Sequence, residues 1–213
     1  MNSNTYELPS LTRIEVALDE AGRGSLIHDV VAAAVIMPST YLDTDIMFKK
    51  IKDSKKCTPK RREELRHYIE TNALAWGVGV ASSAEIDERN ILQATYLAMH
   101  RALQQVWQKM HFDHICVDGN GFKAWGPKHE DVDGWVPFTC IPKGDATRLD
   151  IAAASILAKT HRDEMIVKLA EDCPDLDFKY GIKSNKGYGT AKHTAGIKQH
   201  GLSEYHRKSF VLH

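Results

Sequence analysis

An unbroken apolar run at residues 30–37, VVAAAVIM, places the strongest constraint on how this chain folds. The run stops at Pro38 and is far shorter than the ~20 residues that a membrane-spanning helix needs. A short apolar run of this kind is typical of a strand buried on both faces. The preceding segment 13–19, RIEVALD, alternates polar and apolar residues, which is the pattern of a second strand. We therefore expect the chain to begin with two strands of a sheet that is covered on both faces.

The remaining segments extend this sheet and cover it with helices. Three further strands are predicted, at residues 76–82, 114–118 and 138–141. Long helices are predicted at residues 58–75, 83–110 and 146–173, and a short one at 190–200. Strands that follow one another directly favour antiparallel pairing, whereas strands separated by helices pair in parallel. The expected fold class is α/β: a five-stranded mixed sheet flanked by helices, with a C-terminal helical extension.

Nothing in the sequence divides the chain into separate domains. Its 213 residues fit one domain, and no repeat or proline-rich linker interrupts them. We expect a single domain over 1–213, with a core at about 14–175 and an extension at about 176–213. The N-terminus lacks a basic segment followed by an apolar one, so no signal peptide is predicted and a cytoplasmic location is expected. The four cysteines fit no zinc motif and are expected to be reduced thiols.

The charge of the chain is balanced in total but sorted along its length. Lysine and arginine number 28, as do aspartate and glutamate, which excludes a highly basic nucleic-acid-binding protein. Eight basic residues nevertheless fall between Lys49 and Arg62, and six lysines and one arginine fall between Lys179 and Lys208. Such stretches are candidate phosphate-contact surfaces, and either one is equally compatible with a solvated helix face.

Carboxylates stand where several predicted elements begin or end. Asp19 and Glu20 lie at the end of the first strand, before a turn at residues 22–24 that contains two glycines. Asp118 ends the fourth strand, and Asp145 precedes a long helix. Structural interpretations exist for each position: a surface turn, an Asx turn and a helix N-cap. Acids that meet in one cleft resist ionisation unless a cation neutralises them, and an all-oxygen donor set favours Mg²⁺ or Mn²⁺ in phosphodiester hydrolysis.

These acids belong to a series of short motifs spread along almost the whole chain. They are DEAGRG at 19–24, DSKK at 53–56, NILQATYLAM at 90–99, VDGN at 117–120, KGD at 143–145, IAAASILAK at 151–159, KGYGT at 186–190 and HRKSF at 206–210. In this order the motifs resemble those of ribonuclease HII, the type 2 ribonuclease H family, over about residues 14–210. The resemblance implies a ribonuclease H-like fold and hydrolysis of the RNA strand in RNA–DNA hybrids. It also implies incision 5′ to single ribonucleotides embedded in DNA, leaving 3′-hydroxyl and 5′-phosphate ends.

The resemblance assigns the acids to one site. It implies that the same four residues perform catalysis and bind metal: Asp19, Glu20, Asp118 and Asp145. The implied cofactor is Mg²⁺ or Mn²⁺. Asp145 is preferred as the fourth acid because its Lys-Gly-Asp context matches the family. The long loop 121–136 holds three further acids, each able in principle to take its place: Glu130, Asp131 and Asp133.

Substrate recognition is implied for three other segments. Gly22-Arg23-Gly24 matches the turn that reads the ribose 2′-hydroxyl, the group that distinguishes RNA from DNA at a given site. Tyr188 matches a tyrosine that stacks on the adjacent sugar. A phosphate-contacting stretch corresponds to Lys55 and Lys56. Weaker matches fit a structural role equally well, such as salt bridges between the tail and the body: Arg162, His206 and Arg207.

The chain departs from the family pattern directly after the first motif. The family usually has Gly-Pro and another Gly there, whereas this chain has Ser25, Leu26, Ile27, His28 and Asp29. This substitution of residues is expected to change the rigidity of the loop beside the 2′-hydroxyl reader.

Nucleic acid is the expected partner: an RNA–DNA hybrid or DNA with an embedded ribonucleotide. No clamp-binding tail is recognisable, and we expect a monomer that needs no other protein and no membrane. Two other functions stay open, a 3′–5′ exonuclease on the same fold and a non-catalytic hybrid-binding module. The 22–24 turn with Tyr188 favours the ribonuclease over the exonuclease, and the presence of all four acids argues against the module.

Overall fold

A mixed sheet forms the centre of the molecule. The computed structural model describes residues 12–39, 46–51, 58–127 and 134–210. In these residues the strands are β1 Glu15–Ala21, β2 Val30–Ile36, β3 Ala75–Ala81, β4 His114–Asp118 and β5 Phe138–Ile141, in the spatial order β3-β2-β1-β4-β5. β2 is antiparallel to β1 and to β3, whereas β4 is parallel to β1 and to β5. The predicted five-stranded mixed sheet is therefore confirmed.

Helices cover both faces of this sheet. In the same ranges they are α1 Ile46–Ile51, α2 Pro59–Asn72, α3 Ser83–Arg89, α4 Ile91–Trp107, α5 Leu149–Asp172, α6 Pro174–Tyr180, α7 Ile182–Asn185 and α8 Ala191–His200. One core lies under α4 and contains Val16 and Leu18 of β1, and the other lies under α5 and α2 and contains Ala17. β2 is buried along its entire length, as its apolar run predicts. No helix in the described part of the chain is both long and apolar enough to span a bilayer.

The prediction of one continuous helix over residues 83–110 is wrong. The helix breaks at Asn90, whose φ of +69° lies in the left-handed region. The Asn90 side chain accepts hydrogen bonds from the backbone N–H groups of Leu92 at 3.0 Å and Gln93 at 3.1 Å, and so caps α4. Ile86 of α3 packs into the same core as α4. The apolar pattern therefore continues across the break and conceals it.

Two other boundaries differ from the prediction. β1 extends to Ala21, two residues past the predicted end at Asp19, so that Glu20 also lies within the strand. The segment between α5 and α8, where no helix is predicted, contains α6 and α7. Both helices are too short to show a periodic apolar pattern, and each ends at a residue with positive φ, Gly181 or Lys186.

Glu85 caps the N-terminus of α3 and links this helix to α4. Its carboxylate accepts from the backbone N–H of Ser82 at 2.9 Å, and the Ser82 hydroxyl accepts from the Glu85 N–H at 3.2 Å, which forms a capping box. The Arg101 guanidinium donates to both carboxylate oxygens, at 2.7 and 2.9 Å. Hydrogen bonding to Arg101 is the main reason that the pKa of Glu85 falls to about 2.

We expect Glu85→Gln to lower the free energy of unfolding at pH 7 by about 1 kcal/mol. The folded-state pKa of Glu85 lies below its usual 4.5, so its contribution is present above pH 4.5 and is lost as the pH falls towards 2. The difference between wild type and variant should shrink over that range in urea titrations. Glu88→Gln is the control, because the Glu88 side chain is 69% exposed; an equal loss there would contradict this role for Glu85.

Candidate active site

The parallel pairing of β1 and β4 brings the first three predicted acids together. The register pairs Leu18 with Val117, so Asp19 and Asp118 follow at the same level of two neighbouring strands. Asp19 is buried, with 5% of its surface exposed, and lies on the α5 side of the sheet. Glu20 follows Asp19 in β1 and is partly exposed. Sites at the carboxyl ends of parallel strands are common in α/β proteins.

The fourth predicted acid lies beside Asp118. Asp145 belongs to the short 3-10 turn Gly144–Ala146 that joins β5 to α5. Its backbone N–H donates to Oδ1 of Asp118 at 3.3 Å. The turn begins after Lys143, whose left-handed φ of +57° redirects the chain towards β4. The acids of the long loop that were alternatives to Asp145 lie outside the described residues.

Burial and neighbouring negative charge disfavour ionisation of Asp19 and Glu20. Desolvation raises the pKa of Asp19 well above its usual value, and the charges of Glu20 and Asp118 raise it further. Hydrogen bonds to Asp19 from Ser155 and from the Glu20 backbone N–H, at 2.7 Å, act in the opposite direction. Burial also raises the pKa of Glu20, and this effect is partly offset by Arg23, whose Nη1 donates to Oε1 at 3.1 Å.

The acids fit a hard divalent cation by their charge and donor chemistry. All of their side-chain donors are carboxylate oxygens, which Mg²⁺ and Mn²⁺ prefer. The influences that raise the pKa of Asp19, desolvation and neighbouring negative charge, are those that a bound cation offsets. Among the described residues, no three His, Cys, Asp or Glu side chains already stand around one point as a metal-binding group. The fit therefore rests on donor type and electrostatics rather than on a preformed cage.

The C-terminal segment holds the turn that follows the acids. Arg207 is 1% exposed and donates to three backbone carbonyl oxygens of this region. The distances are 2.9 Å to Arg23, 2.8 Å to His28 and 3.0 Å to Asp29. Three charge-assisted hydrogen bonds from one rigid guanidinium fix the position of the Arg23 carbonyl relative to the tail.

Tyr188 lies beside the same turn. Ser25 and Tyr188 form an antiparallel bridge, and the Leu26 N–H donates to the Gly187 carbonyl at 2.9 Å. Lys159 Nζ lies 5.5 Å from the centre of the Tyr188 ring, and the Arg162 guanidinium carbon lies 5.2 Å from it. The turn and the tyrosine that were predicted to read the ribose are therefore neighbours.

Arg162 supports the turn from below. Its side chain is fully buried, and Nη1 donates to the Lys186 carbonyl at 2.9 Å. Gly22, at φ +91°, packs directly on this side chain, and a Cβ there would overlap it. Arg162 and Arg207 thus join the tail to the body through hydrogen bonds to backbone carbonyls. The structural role suggested for them from the sequence was of this kind, but its example was a salt bridge.

The departure at residues 25–29 leaves this loop tied to its surroundings. The Ser25 hydroxyl lies 2.8 Å from the Ile27 carbonyl and 3.0 Å from the Gly187 carbonyl. His28 adopts a φ of +67°, a conformation that suits glycine better than histidine. Its backbone N–H donates to the Tyr205 carbonyl at 2.8 Å. Hydrogen bonds to the C-terminal segment therefore hold a loop that lacks the Gly-Pro of the family.

Known proteins similar to this chain point to one family. Residues 16–213 match the family model of ribonuclease HII. The chain belongs to the ribonuclease HII family. It is 47% identical to ribonuclease HII of Phocaeicola vulgatus over 207 residues, which cover 96% of this chain and 94% of that relative. It is 49% identical to ribonuclease HII of Christiangramia forsetii over 202 residues, covering 94% of this chain and 92% of that relative.

A solved structure shows that the fold is also shared with this class of enzyme. The ribonuclease H2 from Pyrococcus horikoshii OT3 superposes with a TM-score of 0.68 at 26% identity, covering 92% of this chain and 93% of that chain. The predicted ribonuclease H-like fold is confirmed. Membership of the ribonuclease HII family makes the protein an endoribonuclease, a hydrolase that acts on RNA–DNA hybrids.

Two predicted residues of this ribonuclease HII are not described by the structure, and one residue at the site was not predicted. Lys55 and Lys56 lie outside the described residues, so their predicted phosphate contact stays a prediction. Ser155, which hydrogen-bonds to Asp19, was missed. Its signal is a single hydroxyl within the apolar stretch IAAASILA of α5, on the side that faces the sheet. Such an isolated hydroxyl on a buried helix face needs a polar partner.

Proposed function

We propose that this ribonuclease HII cuts duplex DNA on the 5′ side of a single embedded ribonucleotide, with Mg²⁺ or Mn²⁺ as cofactor. The observation that carries the proposal is the contact between the acids and the turn. Glu20 accepts a hydrogen bond from Arg23, the central residue of the 22–24 turn, so acids and turn form one continuous edge. A phosphate that reacts at the acids therefore lies next to the ribose that the turn contacts.

The acids supply the site for the cofactor. The four residues that would hold it are Asp19, Glu20, Asp118 and Asp145. A bound divalent cation supplies positive charge at the phosphoryl oxygens and makes a nearby water more acidic. Asp19 is oriented by the Glu20 N–H and by Ser155, and Asp118 by the Asp145 N–H. These hydrogen bonds fix the carboxylates before substrate arrives, which keeps the reorganisation needed for catalysis small.

The turn supplies discrimination between RNA and DNA. A 2′-hydroxyl both donates and accepts hydrogen bonds, and it can be read by backbone groups that approach the sugar closely. Gly24 is exposed, and apart from its two chain neighbours no residue comes within 4 Å of the place where its Cβ would be, so the surface beside it is open. Arg207 fixes the Arg23 carbonyl next to it. Tyr188 is half-buried and lies beside the same turn through its bridge to Ser25.

A labelled duplex with one ribonucleotide tests the proposal. It is incubated with Mg²⁺, with Mn²⁺ or with a chelator, beside an all-DNA duplex and a long RNA–DNA hybrid. We expect a metal-dependent cut only on the 5′ side of the ribonucleotide, with a 3′-hydroxyl product end. Cleavage of the hybrid without a cut at the single ribonucleotide would refute the junction specificity. Because residues 25–29 differ from the family pattern, they would then be exchanged first.

Asp118→Asn should lower kcat by at least about a hundredfold, because it removes negative charge from the proposed metal site. The amide oxygen still accepts from the Asp145 N–H, so folding and substrate affinity should stay near wild type. Kinetics and equilibrium binding to an uncut substrate check both expectations.

The matched control for this change is Asp113→Asn, just before the opposite end of β4. Asp113 accepts a backbone hydrogen bond from Ile14 at 2.9 Å, and an amide oxygen accepts it equally well. Comparable losses in the two variants would remove Asp118 from the site.

Gly24→Ala should separate recognition from folding. The added methyl group meets no protein atom, so the free energy of unfolding should stay within about 0.5 kcal/mol of wild type. It should nevertheless obstruct the sugar and lower kcat/KM at a single ribonucleotide about tenfold to a hundredfold. Gly22→Ala gives the contrast, since it should lose about 2 kcal/mol of stability through its positive φ and its contact with Arg162. Full activity of Gly24→Ala would refute close approach at this residue.

A further inference from the structure

Two buried histidines lie next to the backbone of Tyr188. His193 of α8 is fully buried, and His206 in the tail is 1% exposed. Their Nε2 atoms are 3.1 Å apart. His193 belongs to none of the motifs identified in the sequence, and His206 was only a weak match with an open role.

The hydrogen bonds around the pair fix the position of every proton. A backbone N–H only donates, so Nδ1 of His206 accepts from the Ser203 N–H at 2.9 Å. In the neutral ring the proton of His206 is then on Nε2 and is donated to Nε2 of His193. The proton of His193 is consequently on Nδ1, which donates to the Tyr188 carbonyl at 3.1 Å. The result is a one-directional chain of hydrogen bonds from Ser203 to Tyr188.

The surroundings of the pair keep it neutral. Burial lowers the pKa of both histidines, and for His206, with the effect of His193 added, the value is about 4. The Tyr180 ring packs edge-on against His206, with ring centres 4.7 Å apart. A second proton on His206 would place an N–H at Nδ1, directly opposite the Ser203 N–H. The chain of hydrogen bonds therefore exists only while both rings are uncharged.

This chain ends on the backbone of the residue that faces the substrate. The Tyr188 carbonyl also accepts from the Thr190 N–H at 2.8 Å, so two donors hold it in place. On its other side Tyr188 bridges to Ser25, and Ile27 bridges to His206 itself. The two histidines therefore contact both the tyrosine and the loop that continues from the 22–24 turn.

We propose that His193 and His206 are positioning residues for ribonucleotide recognition, which hold the Tyr188 backbone so that its ring stands against the sugar. The proposal rests on the proposed function, because it assumes that Tyr188 contacts substrate. Neither histidine reaches the reacting atoms. Their contribution is to place a binding surface, so their loss should weaken substrate binding while the chemical step continues.

His193→Leu tests the proposal, because it removes the donor to the Tyr188 carbonyl and keeps an apolar side chain in a buried site. We expect KM for the single-ribonucleotide duplex to rise about threefold to tenfold, the effect of one lost hydrogen bond, with kcat within about twofold of wild type. His193→Asn places an amide N–H where Nδ1 stood and should restore KM. A fall in kcat at unchanged KM, or no rescue by asparagine, would overturn the proposal.

A double-mutant cycle shows whether the effect passes through the tyrosine. Tyr188→Ala removes the ring, so adding His193→Leu to that variant should change KM by less than about twofold. The same factor in both backgrounds would mean that His193 acts elsewhere. If His193→Leu does not fold, His193→Gln takes its place, because its longer side chain carries the amide to the Nε2 position. Wild-type KM in that folded variant would overturn the proposal.

Failure of this inference can be distinguished from failure of the proposed function. If the wild-type enzyme does not cut at a single ribonucleotide, the proposed function itself is wrong, and the positioning role is wrong with it. If the wild-type enzyme cuts and the folded histidine variants retain wild-type KM, only the positioning role is wrong. Circular dichroism at matched temperature confirms that each variant compared is folded.

Discussion

The parallel pairing of β1 with β4 is the contact on which the rest of the site depends. It places Asp118 beside Asp19 at the centre of the sheet, where both strands are flanked by further strands. β2, β3 and the helices that follow lie between the two strands in sequence, and they supply the long connection that parallel pairing needs. Two carboxylates far apart in sequence are therefore fixed by backbone hydrogen bonds rather than by flexible loops.

Helix α5 connects a buried ion triad at the start of β1 with the 22–24 turn beyond its end. At its start, Arg148 is held between Asp150 and Glu15 of β1, at 2.6 and 2.7 Å, in a buried ion triad. Further along the helix, Ser155 reaches Asp19 and Arg162 supports Gly22. Because α5 is rigid, the triad at one end of β1 and the turn beyond its other end keep a fixed spacing. Removing one partner of such a buried triad leaves an uncompensated charge.

The strands were predictable because their signals are local. They follow from side-chain periodicity, and these predictions agree with the sheet observed here. The assignment of the four acids to one site came from the resemblance to the family instead. The break at Asn90 was not predictable from periodicity, since the apolar pattern runs through it. His193 and the role of Arg207 depend on contacts between residues far apart in sequence, such as Arg207 with Arg23. A single sequence carries no local signal for contacts of that kind.

The position of Arg207 near the end of the domain affects the order in which parts of the site form during synthesis. Its carbonyl partner at Arg23 is synthesised 184 residues earlier, and the segments that carry all four acids also precede it. Domains fold as units during synthesis, so the 22–24 turn lacks the hydrogen bond from Arg207 until the last part of this domain has been made. The conformation of the turn beside the acids is therefore completed only when the tail docks.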